Sequence, residues 1–134
     1  ISMAKIVYPT TDKVVEINKI VLEKIKIKKA DKPVLLSYNA LKEAIESCEN
    51  RHGDIYDKAA CLLKGIVQKH PFASGNRRTA FVATEDFLME NKAEAKFKNS
   101  PEEAKIFKGI RERYYTDEEI VNWIKKGEIR EFKR

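Results

Sequence analysis

His70-Pro71-Phe72-Ala73-Ser74-Gly75-Asn76-Arg77-Arg78-Thr79-Ala80 is the stretch at which the pattern of a buried helix gives way to reactive groups. Upstream of it Ala59, Ala60, Leu62, Leu63, Ile66 and Val67 recur at helical spacing, and downstream Ala80, Ala83, Phe87 and Leu88 do the same. The stretch is therefore a short loop between two core helices. Pro71 disfavours a right-handed helical conformation at His70 and closes the first helix there. Gly75 and Asn76 tolerate unusual backbone angles and immediately precede the second helix. The first turn of that helix has free N–H groups, the positive end of the helix dipole, and the side chains of Arg77 and Arg78. Together these predict an anion site suited to phosphate, with an imidazole base beside it.

Working outward, helical periodicity places a first helix from about Lys13 to Ile27, with Thr11-Asp12 as cap candidates and Val14, Ile17, Val21 and Ile25 on its inner face. Lys28, Lys29 and Lys32 are expected to be exposed, Asp31-Lys32-Pro33 breaks the helix, and Val34-Leu35-Leu36 is a short run that can be extended. A second helix over about Tyr38 to Glu49 turns Leu41, Ala44, Ile45 and Cys48 inward. The third, about Ile55 to Lys69, is the most apolar and should be central, and Gly65 within it predicts a close helix contact. The fourth runs from about Arg77 to Met89. Ser100-Pro101-Glu102-Glu103 and Thr116-Asp117-Glu118-Glu119 each read as a capping box opening a helix, the first ending near Arg113, the second at Gly127 with Trp123 as a core anchor. The expected architecture is an all-α bundle of about six helices, a single domain over residues 3–134, with Ile1-Ser2 set aside as an expression scar.

Composition narrows the class. The chain has 134 residues, 43% of them apolar, and no run approaches a membrane span. A cytoplasmic location is the default expectation. Its net charge of +6 comes from lysines and arginines spread along helix faces, not gathered in a block, which argues against nucleic acid as the partner. Cys48 and Cys61 both fall on apolar faces and read as buried free thiols. His52, beside Gly53 in a polar turn, reads as exposed and without a chemical role.

His70, Phe72, Gly75, Asn76 and Arg78 match five fixed positions of the signature H-x-F-x-[DE]-G-N-x-R, a coincidence expected on the order of once in 10⁵ chains of this length. The stretch thus resembles the Fic/Doc family, and its surroundings, Lys58 through Leu63 and Arg78 through Phe81, resemble the Doc (death-on-curing) branch. The resemblance implies a transferase in which His70 takes the proton from a target hydroxyl. Phe72 pins the loop, and Gly75, Asn76 and Arg78 bind the phosphates of ATP, with Asn76 adding a side-chain donor and Arg77 an adjacent charge. It further implies a protein target presenting a Ser or Thr hydroxyl (elongation factor Tu in Doc), an antitoxin partner, and an extended flap over Val34-Leu35-Leu36 that docks the target. From the residues alone that run reads equally as a core-filling linker.

Two positions depart from the signature. Ser74 stands where the family carries the Asp or Glu that binds the magnesium ion of ATP, and a neutral hydroxyl is a poorer ligand for a hard cation. Glu85 and Asp86 lie about two turns into the next helix, too far along to replace it. Arg77 stands where AMP-transferring members have a second glycine, and Phe81 where they have a second arginine. Both differences resemble Doc, which transfers the terminal phosphate of ATP, although Arg77 in place of a lysine keeps the charge and not the geometry. The leading expectation is phosphate transfer to a protein hydroxyl by the toxin of a toxin–antitoxin pair. The alternatives are a Fic-type AMP transferase and a nucleotide-binding module impaired in catalysis because of Ser74.

Overall fold

In the computed structural model, described here for residues 5–24 and 32–133, six α-helices account for nearly all the regular structure among those residues. They are α1 (Thr11–Lys24), α2 (Tyr38–Asn50), α3 (Ile55–Lys69), α4 (Asn76–Glu90), α5 (Ala104–Arg111) and α6 (Asp117–Lys126). The all-α expectation holds. Ile1-Ser2, Ile25 to Ile27, Lys28, Lys29 and Asp31 lie outside the described residues.

Helix α3 is central because most of its circumference is apolar, with only a narrow half-buried polar strip at Asp57, Lys64 and Gln68. Ala59, Ala60, Cys61, Leu62, Leu63, Gly65, Ile66 and Val67 are all buried, and α2, α4, α5 and α6 pack around it. Gly65 permits a close approach of α2. A Cβ there would stand 2.7 Å from Ala44 Cβ on α2, so only a hydrogen at position 65 lets the two backbones meet this way. Helix α1 closes the bundle against α4 and α2, burying Val14, Ile17, Val21 and Leu22. Trp123 on α6 is 1% exposed and meets Phe97 and Phe107 edge-to-face at 5.1 and 5.2 Å, a favoured ring geometry that ties α5, α6 and the 91–100 segment together. Cys48 and Cys61 are buried and free.

The helix starts show where local signals succeed and where packing overrides them. Asp54 with Asp57, and Thr116 with Glu119, form complete capping boxes at α3 and α6. The box expected at Ser100 does not form. Ser100 makes no side-chain cap bond, Pro101–Glu103 is a turn of 3-10 helix, and the Glu103 carboxylate instead accepts a hydrogen bond from Trp123 Nε1 at 3.1 Å. A buried indole N–H needs an acceptor, and Glu103 is drawn to it. At α1 the capping oxygen is Thr10 Oγ1, which accepts from Lys13 N at 3.1 Å, one residue before the expected Thr11-Asp12.

The run Val34-Leu35-Leu36 is extended and lies antiparallel to the signature loop. Leu35 and Phe72 form an isolated bridge, Leu36 N donates to Pro71 O at 2.8 Å, and Ala73 N donates to Val34 O at 2.9 Å. Leu35 packs against the core while Val34 and Leu36 face solvent. No helix among the described residues is long and apolar enough to cross a membrane.

Candidate functional site

The loop joining α3 to α4 is built by two left-handed residues. His70 caps α3 at φ 53°, ψ 55°, and Gly75 caps α4 at φ 74°, ψ 20°. A histidine visits this region at some cost, whereas glycine does so freely. The turn at His70 ends the helix and leaves the imidazole exposed at the protein surface. At Gly75 a side chain is excluded twice over, because a Cβ would also come within 3.0 Å of Leu22 Cδ2 on α1.

Between these residues the loop is anchored from inside. Phe72 is 1% exposed and drives the loop onto the core. Asn76, 4% exposed, returns its side chain to the same residue: its Oδ1 accepts from Phe72 N at 3.0 Å and its Nδ2 donates to Phe72 O at 2.8 Å. One of the two Nδ2 hydrogens of Asn76 is thus used within the loop. Asn76 therefore braces the loop and also stands at the opening of α4, where it lines the cavity. From α1, Asn18 completes the brace, with Nδ2 donating to Ser74 O at 2.9 Å and Thr79 Oγ1 at 3.0 Å. Three side chains from three segments thus hold six residues of irregular backbone, 70–75, whose polar groups would otherwise be costly to bury.

A cavity of about 230 Å³ opens in front of this loop, lined by Val67, His70, Gly75, Asn76, Arg77, Arg78 and Arg111. Of the expected site residues His70, Gly75, Asn76, Arg77 and Arg78 converge there, while Ser74 is not among the lining residues. Its carbonyl is turned inward to Asn18. Arg111, the last residue of α5, was not expected. It arrives because Gln68 on α3 donates from Nε2 to Ile110 O at 2.8 Å, fixing the end of α5 beside the end of α3. Nothing local in the sequence marks Arg111. Asn18 did carry a signal, as a polar residue on the apolar stripe Val14, Ile17, Val21 and Leu22.

Partial burial, with the positive charges of Arg111 and Arg77 behind it, lowers the His70 pKa below its ordinary 6.5. The ring is accordingly neutral at neutral pH, the state in which an imidazole accepts a proton. The neighbouring Lys69 is neutralised elsewhere, by Glu43 at 2.8 Å.

The donor set suits a phosphate. Three guanidinium groups and the N-terminus of a 15-residue helix face one cavity that no carboxylate lines. It does not suit a protein-held magnesium ion, which requires oxygen ligands with negative charge. Among the described residues no three His, Cys, Asp or Glu side chains are grouped so as to hold a metal. Glu85 and Asp86 line two other surface pockets, the first with Met89 and the second with Tyr8 and Lys13.

A family model described as Fic/DOC matches residues 8–88, from the segment before α1 to the end of α4. The chain belongs to the Fic/DOC family. Members of this family are typically transferases, and the matched span carries the whole α3–α4 loop. Arg111 lies outside it. Comparison with curated proteins returned no match.

Proposed function

We propose that this Fic/DOC protein is a Doc-like transferase that moves the terminal phosphate of ATP to a Ser or Thr hydroxyl of a target protein. The observation carrying this reading is the single cavity in which a neutral, solvent-reachable His70 faces the N-terminus of α4 and the arginines at 77, 78 and 111. In this scheme ATP supplies the phosphoryl group. His70 accepts the proton of the target hydroxyl as its oxygen forms the new bond to the γ-phosphorus, the bond from that phosphorus to the β,γ-bridging oxygen breaks and ADP leaves, and such a base contributes about 10²- to 10⁴-fold. The N–H groups opening α4 and the guanidinium groups hold the phosphate oxygens and stabilise the charge that builds on them. No step passes through a metal ion, since the lining offers it no ligand.

Two features favour phosphate over AMP transfer. Arg77 occupies the position of the second glycine of AMP-transferring members. Phe81, at the position of their late arginine, packs its ring on Phe97 at 4.5 Å and points a hydrocarbon face into the molecule where those proteins present a cation. The extended segment 34–36, hydrogen-bonded to the loop and exposing Val34 and Leu36, suits a flap that receives the target chain. By likeness to Doc, the protein acts as a toxin held in check by an antitoxin.

Incubation of the protein with a cell extract and ATP labelled at the γ- or the α-phosphate tests the reading. Label from the γ-position on a protein Ser or Thr, lost in His70→Asn, is the expected result. Label from the α-position alone assigns AMP transfer instead. No label from either, with or without divalent metal, leaves a nucleotide-binding module.

A further inference from the structure

The cavity holds more positive charge than one phosphate contact requires, and most of it is uncompensated. Arg51 and Lys64, elsewhere in the molecule, share the carboxylate of Asp117. Arg77 and Arg111 have no ion-pair partner among the described residues. They approach from two elements, the first turn of α4 and the last turn of α5, and both act on the His70 ring electrostatically. Like charges gathered in one cavity repel one another, and an anion placed among them relieves that repulsion. The same cations oppose the approach of a dication. Position 74, where the family places a carboxylate, holds a neutral serine whose carbonyl is tied back to Asn18.

We infer that Arg77 and Arg111 supply the charge compensation that a metal bound at position 74 provides elsewhere in the family, so that this site takes a nucleotide polyphosphate as the metal-free anion. The inference rests on the reading of the cavity as a nucleotide-phosphate site, and deepens it by assigning the ligand's ionic form and a third arginine that holds it. Free ATP carries more negative charge than its magnesium complex, and it leaves its phosphate oxygens open to guanidinium forks, which hold such oxygens two at a time. Arg111 does this from outside the span that the family model matches, placed there by the packing of α5 on α3.

Calorimetric titration of the full chain with ATP, in excess EDTA and again with saturating Mg²⁺, decides the matter. Binding in EDTA is expected to be at least as tight as in Mg²⁺. Arg111→Gln should weaken the EDTA affinity by about tenfold, the worth of one charge-assisted contact, and Arg111→Lys should lose less. Ser74→Asp should weaken binding in EDTA and make it recover on adding Mg²⁺. Melting curves of each variant accompany the titrations, and because Arg111 is exposed its variants are expected to remain folded. Binding that appears only with Mg²⁺, EDTA affinity indifferent to Arg111→Gln, or no ATP binding in either buffer overturns the inference. A chain that binds ATP in EDTA yet labels no protein keeps the inference and loses the transferase. One that labels a protein only with Mg²⁺ and ignores Arg111→Gln does the reverse.

Discussion

Two clusters of cations lie against α3, and they are built in opposite ways. Arg51 and Lys64 converge on Asp117 at 3.1 and 2.7 Å, joining the α2–α3 turn and α3 to the first turn of α6. At the end of α3, Arg77 and Arg111 converge on a cavity with no carboxylate in its lining. The first cluster carries its own counterion and serves the fold. The second has no carboxylate in its lining to serve as a counterion, and this contrast supports the proposal that one surface is a site and the other a joint.

Substitutions can pull the two apart. The largest effect expected is on chemistry: His70→Asn should lower transfer by about 10²- to 10⁴-fold while the melting temperature holds. Asparagine suits this test because it tolerates the left-handed backbone that position 70 adopts, so loss of the base is not confused with strain. Next, Phe72→Ala should cost about 3–5 kcal/mol of stability, measured by urea unfolding. A smaller loss would mean that Asn76 and Asn18 hold the loop without the ring. Asp117→Asn strips the counterion from the structural cluster and should cost about 1 kcal/mol, as partly exposed pairs do, with ATP affinity unchanged. A drop in ATP affinity would erase the contrast between the clusters.

Asp117 also gives the contrast a pH signature. Hydrogen bonding from Lys64, reinforced by Arg51 and opposed by burial, holds its carboxyl below the ordinary 3.8. The folded state therefore binds this proton less readily than the unfolded chain. The stabilisation is complete above the ordinary value and is lost as pH falls through the lower folded one. The smallest effect concerns His70. Arg111→Gln removes one of the charges that lower its pKa, so the ring should titrate at higher pH by NMR and the acid limb of transfer should move up with it. An unmoved titration would show that burial and Arg77 set the value without Arg111.

Much of the bundle was legible in the chain because it is written locally. The apolar period of α2 and α3, the box at Thr116, and the glycine after α6 each depend on neighbours a few residues away. The signature loop was legible too, since its glycine, proline and arginines are contiguous. What escaped depends on distant packing. Glu103 leaves its helix start for an indole 20 residues on, Asn76 pairs its amide with the backbone of Phe72, and Arg111 reaches the cavity beside the Gln68 contact. Each is a choice among partners that only the assembled core makes available.

The braces of the signature loop, Asn18 and Asn76, are both amides. Neither gains nor loses a proton anywhere in the range where a protein survives. Acidification to the point at which the imidazole becomes charged should thus leave the scaffold beneath it standing still, and a pH–rate curve for this molecule can be read as the titration of its chemistry, with little admixture from a shifting frame.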